Sequence, residues 1–250
     1  MKKTISRSLT ALCTGVLLYA LVALGFIGYD YLNNRHVLAE AQKLYTVERE
    51  IPGEEVYTET LSGEEAFVGL HEINEDIAGW LTIDGTAIDY PIMQAEDNDF
   101  YLDRNYKKEQ TRAGSLFFDY RNELDGTDRN VIVYGHRMKD GSMFAPLTDF
   151  LDDSFFESDS DILFDTVDGK YTVEVFSVYN TMTDFYYIET EFKDDHDFTE
   201  FVGELKSRSH FKSDVDVTAA DQIITLSTCD YVLDPSEGRL VVHGKIVERR

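Results

Sequence analysis

Residues 221–247 read "DQIITLSTCDYVLDPSEGRLVVHGKIV", and their pattern decides the fold. Two apolar, β-branched runs flank the polar stretch "DYVLDPSEG". Each run is short and ends at turn residues, which favours strands over helices. The pair therefore reads as a hairpin with a long connection. In such a hairpin the residues flanking the loop come close across the ladder. Those residues are Cys229 and Arg239. A guanidinium beside a thiol favours thiolate, and it can also stabilise an oxyanion formed after attack. A buried, inert cysteine is the plain alternative, and the lone thiol by itself does not exclude it.

Working outward, the same strand signals recur at short intervals. "WLTI" and "TAIDYPI" (80–83 and 86–92) are joined by Asp84-Gly85, a hairpin signal. "GSLFFDY" (114–120), "NVIVYGH" (130–136), "DILFDT" (161–166) and "KYTVEVFSVYN" (170–180) follow. Helical patterns are few. "GSMFAPLTDFL" reads as a short helix, and residues 197–209 as a longer one with Phe198, Phe201, Val202 and Leu205 on one face. Asn74 is expected to cap a short helical turn ending at Gly79. Many short strands with few helices favour a barrel or sandwich.

The chain has 250 residues and a formal net charge of -25. Setting aside Lys2, Lys3, Arg7 and Asp30 leaves 20 basic and 47 acidic side chains in residues 31–250. So acidic a surface repels phosphate backbones and anionic lipid, which argues against a nucleic-acid partner. The acidic clusters "DDSFFESDSD" and "KDDHD" lack the spacing and glycine of a calcium loop and read as solvated faces. No cysteine–histidine set has zinc spacing, and no metal is expected.

Ser8 to Tyr29 carries no charge and is long enough to span a hydrocarbon core of about 30 Å. Lys2, Lys3 and Arg7 precede it, which places the N-terminus in the cytosol. A cleaved signal peptide is the rival. The run is longer than a usual signal core and no clean A-x-A site follows it, so an uncleaved signal-anchor is the reading. Four regions are then expected: a cytoplasmic tail (1–8), a transmembrane anchor (9–29), a juxtamembrane helix and spacer (30–69) and a catalytic domain (70–250). In the third, Val37, Leu38, Ala41, Leu44 and Tyr45 recur at helical spacing before Pro52 and Gly53 break the pattern. Cys13 lies in the apolar run and Cys229 far beyond it, so the exported part holds one unpaired thiol.

Thiol chemistry needs a proton-transfer group. His136 ends "NVIVYGH" at a strand's carboxyl end, as Cys229 ends its own strand. His243 is the rival, on the same strand face as Arg239 by alternation. His71 looks structural, and His36 and His196 read as surface residues. Asp230, next to the thiol, would disfavour thiolate if its carboxylate faced the sulfur.

These segments carry a resemblance. "TLSTC" fits the signature T-L-x-T-C of the sortases. "YGHRMKDGSMFAPL" resembles the histidine segment of class B sortases, "EGRLVVHGKIV" their arginine strand, and "GWLTIDGTAIDYPIMQAEDNDFYL" the start of their catalytic domain. The similarity covers about residues 70–250. It implies a mainly β protein: a closed sortase-type β-barrel with short helices and an N-terminal helical extension, preceded by one transmembrane helix. The implied activity is a cysteine transpeptidase on the outer face of a Gram-positive membrane, without a cofactor. Cys229 would attack the threonine carbonyl of a surface protein's sorting-signal peptide and form a thioester. His136 would move the proton and Arg239 would hold the oxyanion. An amine of peptidoglycan or a pilin would release the product. Asn98, Leu102, Tyr134, Tyr187, Ile188 and Ser227 would line the peptide groove, with Asp230 flanking it. A membrane-anchored cysteine hydrolase and a silent surface-binding module are the competing readings.

Overall fold

The computed structural model describes residues 2–49, 57–60, 64–156, 161–234 and 236–248. Among these, β1 (Thr46–Arg49) and β2 (Tyr57–Thr60) form a two-stranded sheet. Eight further strands close a barrel: β3 (Ile77–Ile83), β4 (Asp89–Met93), β5 (Leu116–Phe118), β6 (Asn130–Tyr134), β7 (Ile162–Thr166), β8 (Lys170–Met182), β9 (Gln222–Cys229) and β10 (Gly238–Glu248). Their order around the barrel is β10-β8-β7-β3-β4-β5-β6-β9, with β9 paired back to β10. The expected closed barrel is the fold found. The β4–β5 and β6–β9 pairs are parallel and the others antiparallel. Closure leaves no open sheet edge.

Alternation sorts the side chains. Ile224, Leu226, Leu240, Val242, Val131 and Val133 point into the barrel and join its core with Leu81, Phe118 and Phe164. Their neighbours Ile223 and Val241 point outward, under α4 (Asp195–Arg208). That helix covers them with Phe198, Val202 and Leu205. Asp194 caps it by accepting the Asp197 N–H at 3.0 Å, and Lys206 and Arg208 close its last turn. At the β3–β4 hairpin Gly85 adopts φ 78, the left-handed geometry its turn requires. "GSMFAPLTDFL" yields a 3-10 helix, Ala145–Leu151, ahead of the short α3 (Asp153–Phe156).

The expected turn from Asn74 to Gly79 is corrected. Helix α2 (Glu64–His71) ends before Asn74, and Gly79 lies within β3. Asn74 is buried and spends its amide on tertiary partners: Nδ2 donates to the Tyr101 hydroxyl and the Tyr106 carbonyl, both at 2.8 Å. Its Oδ1 still accepts the Asp76 N–H at 3.0 Å, so Asn74 caps one tight turn that ends where β3 begins at Ile77, not at Gly79.

The N-terminal helix α1 (Lys2–Tyr45) runs unbroken for 44 residues, about 66 Å at 1.5 Å per residue. It is long and apolar enough to cross a membrane, and from Leu12 to Leu32 its large apolar side chains are mostly exposed. Further on, Val37, Ala41 and Tyr45 are buried against Ala66, Phe67 and Trp80. The Tyr45 and Trp80 rings stack at 4.1 Å and 3°, and the Tyr45 hydroxyl donates to Asp165 at 2.5 Å. Packing therefore runs back into the segment read as a spacer. The break at Pro52 and Gly53, Met1 of the tail and residues 157–160 of the first acidic cluster lie outside the described residues.

Candidate active site

Cys229 closes β9 and Arg239 is the second residue of β10, and the two are direct register partners. β6 runs parallel to β9 with Tyr134 opposite Ser227. Two residues beyond that pair stand His136 and Cys229. Alternation therefore turns Ser227, Cys229, Tyr134, His136 and Arg239 to the outer face, at one end of three neighbouring strands. They line a cavity of about 210 Å³, together with Asn98, Leu102, Phe117, Gly135 and Thr228.

Each member is held from behind. His136 is half-buried, with Nε2 at 2.8 Å from the Leu102 carbonyl. A carbonyl only accepts, so Nε2 carries a proton and Nδ1 is the nitrogen left to exchange one. The Arg239 Nη1 donates to the carbonyls of Ser236 (3.0 Å) and Gly238 (2.8 Å). The Thr228 hydroxyl donates to the Gly135 carbonyl at 2.7 Å, which ties the thiol's strand to the histidine's. Gly135 is required by close approach. A Cβ there would stand 2.4 Å from Leu116 and 2.8 Å from Phe144.

The remaining expected residues divide. Leu102 is exposed at the rim, and its carbonyl, not its side chain, holds His136. Ser227 is buried and shares a 2.8 Å hydroxyl bond with Tyr187. Burial pushes the Tyr187 phenol up, opposed by that bond and by the nearby Arg239. Ile188 is half-buried in the cluster under α4. Asp230 is corrected. It is 2% exposed, and its carboxylate turns from the groove to accept Arg137 Nη1 (3.1 Å), Asn180 Nδ2 (3.0 Å) and the Val232 N–H (3.0 Å). It therefore does not line the cavity, and it braces the loop after the thiol against the residue after His136.

His243 is set aside as the base. It lies four residues along β10 from Arg239, roughly 13 Å at strand spacing, and is wholly buried. Its Nε2 lies 2.8 Å from the Tyr179 hydroxyl and its Nδ1 2.9 Å from the Thr225 hydroxyl. Burial lowers its pKa to about 3. His71 bonds the Ile77 carbonyl at 2.7 Å, and His36 is exposed beside Glu40.

Three residues were not singled out from sequence. The buried Asp119 and the half-buried Arg121 form an ion pair behind the groove. Tyr231, half-exposed, brings its hydroxyl close to the Cys229 thiol. Burial raises that phenol first and the nearby sulfur second. "FFDYRN" gives no signal for such a pair, because an i,i+2 spacing off a strand end has no periodic meaning. Among the described residues no group of three His, Cys, Asp or Glu is placed to hold a metal ion.

The barrel with a thiol, an imidazole and a guanidinium on adjoining strand ends is that of the sortase class: residues 81–247 match the Sortase domain family. Sortase B of Listeria monocytogenes is 43% identical over 251 residues, covering 100% of this chain and 99% of that protein. The crystal structure of sortase B from Bacillus anthracis in complex with AAEK1 superposes with a TM-score of 0.76 at 50% identity, covering 89% of this chain and 100% of that one. The Staphylococcus aureus sortase B–substrate complex gives 0.72 at 42% identity, covering 75% and 87%. The chain belongs to the sortase B family and is a cysteine transpeptidase.

Proposed function

We propose that the chain cleaves the sorting-signal peptide of surface proteins after its threonine, through a thioester on Cys229, and passes the acyl group to an amine of peptidoglycan or a pilin. The observation that carries this is the cross-strand pairing of Cys229 with Arg239 beside His136 in one groove. The Cys229 thiol passes its proton to His136 Nδ1 as the sulfur attacks the threonine carbonyl carbon, and the adjoining guanidinium stabilises the oxyanion. As the C–N bond breaks, His136 Nδ1 gives its proton to the leaving amine. It takes one back from the incoming amine, which then displaces the thiol. The S. aureus sortase B–substrate complex supports a substrate occupant of this groove.

Asn98, Leu102, Tyr134 and Ser227 would contact that peptide, and Tyr187 and Ile188 would form its opposite wall. The cytoplasmic tail (1–8), the anchor (9–29), the juxtamembrane segment (30–69) and the catalytic domain (70–250) are the assigned regions. Helix α1 holds the enzyme to the cell membrane as a single span, with the catalytic domain outside, and no nucleic acid takes part. The test uses the full chain in detergent micelles with a panel of quenched sorting-motif peptides and Cys229→Ala alongside. Cleavage lost in the variant, with a thioester-sized mass gain in the parent, is expected. An added amine should redirect the product from acid to amide. No cleavage across the panel, with Cys229 unreactive until unfolding, would overturn the assignment.

A further inference from the structure

Two side chains, Asp119 and Arg121, tie the groove residues Asn98 and Tyr134 to the segment Tyr186–Ile188. Asp119, directly after β5, is wholly buried. Its Oδ2 accepts from Asn98 Nδ2 at 3.1 Å and from the Tyr134 hydroxyl at 2.8 Å. Asn98 is fixed a second time, because its Oδ1 accepts the Tyr120 N–H at 3.0 Å. Arg121 then closes on the same carboxylate with a fork: Nε to Oδ1 and Nη2 to Oδ2, both 2.8 Å. The far edge of its guanidinium faces the opposite wall. Nη1 donates to the Tyr186 hydroxyl at 2.8 Å, and Nη2 to the Ile188 carbonyl at 3.0 Å. Between those two contacts lies Tyr187, whose hydroxyl meets Ser227, two residues before the thiol.

We infer that Arg121 is a positioning residue for peptide recognition: seated on buried Asp119, it sets the spacing between the Asn98–Tyr134 wall and the Tyr187–Ile188 wall. This rests on the groove being the sorting-peptide site. A planar guanidinium suits the task, since its five donors leave in fixed directions and can serve two walls at once. A lysine ammonium carries its donors on one atom. Burial works against the Asp119 charge, yet hydrogen bonds from Arg121 and Tyr134 outweigh it and hold the carboxyl below its usual range. Hydrogen bonding to Asp119 in turn raises Arg121. The joint is therefore ionised at neutral pH.

The test is Arg121→Lys in the full chain in micelles. The lysine keeps a cation beside Asp119 but cannot hold both walls. Peptide KM is expected to rise about tenfold, as for the loss of a charged hydrogen bond, with kcat changed less than about twofold. Alkylation of Cys229 by iodoacetamide, which needs no groove, should keep the parent's rate. Tyr186→Phe leaves the ion pair intact and removes one contact to the far wall, so KM should rise by a smaller factor. That variant serves as the test if Arg121→Lys does not fold. An unchanged KM in a folded variant overturns the inference. So does an equal loss of kcat, kcat/KM and alkylation rate, which marks a purely structural role. If the parent cleaves no peptide but alkylates normally, it is the substrate reading that fails.

Discussion

His243 links the barrel to pH in a measurable way. Its ring is wholly buried against Phe176 and Tyr179, bonded to the Tyr179 and Thr225 hydroxyls. The bond directions are determined. The Thr225 hydroxyl donates to Asn130 Oδ1 at 2.7 Å, so it accepts from His243 Nδ1, and Nε2 must accept from Tyr179. A neutral imidazole satisfies every partner, and a second proton on Nε2 would force the Tyr179 hydroxyl to turn its own proton away from the ring. Burial accordingly depresses the pKa to about 3, against roughly 6.5 in an unfolded chain. Below pH 6.5 the unfolded chain takes up a proton that the fold refuses, so stability falls with pH until about pH 3. From pH 7 to pH 5 the loss is about 2 kcal/mol. The assay is urea unfolding of the full chain in micelles at both pH values, for the parent and for His243→Gln. The variant should be weaker at pH 7 through its lost packing. Its stability should then drop about 2 kcal/mol less than the parent's on going to pH 5. Parallel losses in the two proteins would refute a buried, neutral His243.

Two further substitutions probe the site's supports. Arg137→Ala strips the cation from Asp230, whose carboxylate is 2% exposed. Denaturation should show a loss of about 1–3 kcal/mol, smaller for Asp230→Asn because Arg137 reaches water. Gly135→Ala drives a methyl toward Leu116 and Phe144. It should lower the denaturation midpoint by the equivalent of about 1–3 kcal/mol, and peptide cleavage should fall further than stability does because His136 is the next residue.

Much of the barrel was legible in the sequence because strand signals are local. Alternating β-branched runs, the Asp84-Gly85 turn and the apolar stretch from Ser8 each follow from a few adjacent residues. Cys229 and Arg239 were legible as partners for the same reason: a hairpin pairs what flanks its loop. His136 emerged only by analogy between two strand ends, and it took the parallel β6–β9 pairing to put those ends side by side. The Asn74 turn was read too long, because Gly79 pairs with Ile92 and Thr166 on two neighbouring strands, and those partners are distant in sequence.

What the sequence determined by itself was the succession of strands, the long apolar N-terminal segment and the position of a thiol at a strand's end. These depend on period and spacing, which short-range sterics and burial enforce. Tertiary structure alone decided which way the polar side chains turned. Asp230 faces Arg137 rather than the sulfur, His243 is sealed under Tyr179, and Asp119 and Arg121 meet behind the groove. Each is settled by partners distant in sequence, because a buried polar group must find its hydrogen bonds wherever the closed barrel supplies them.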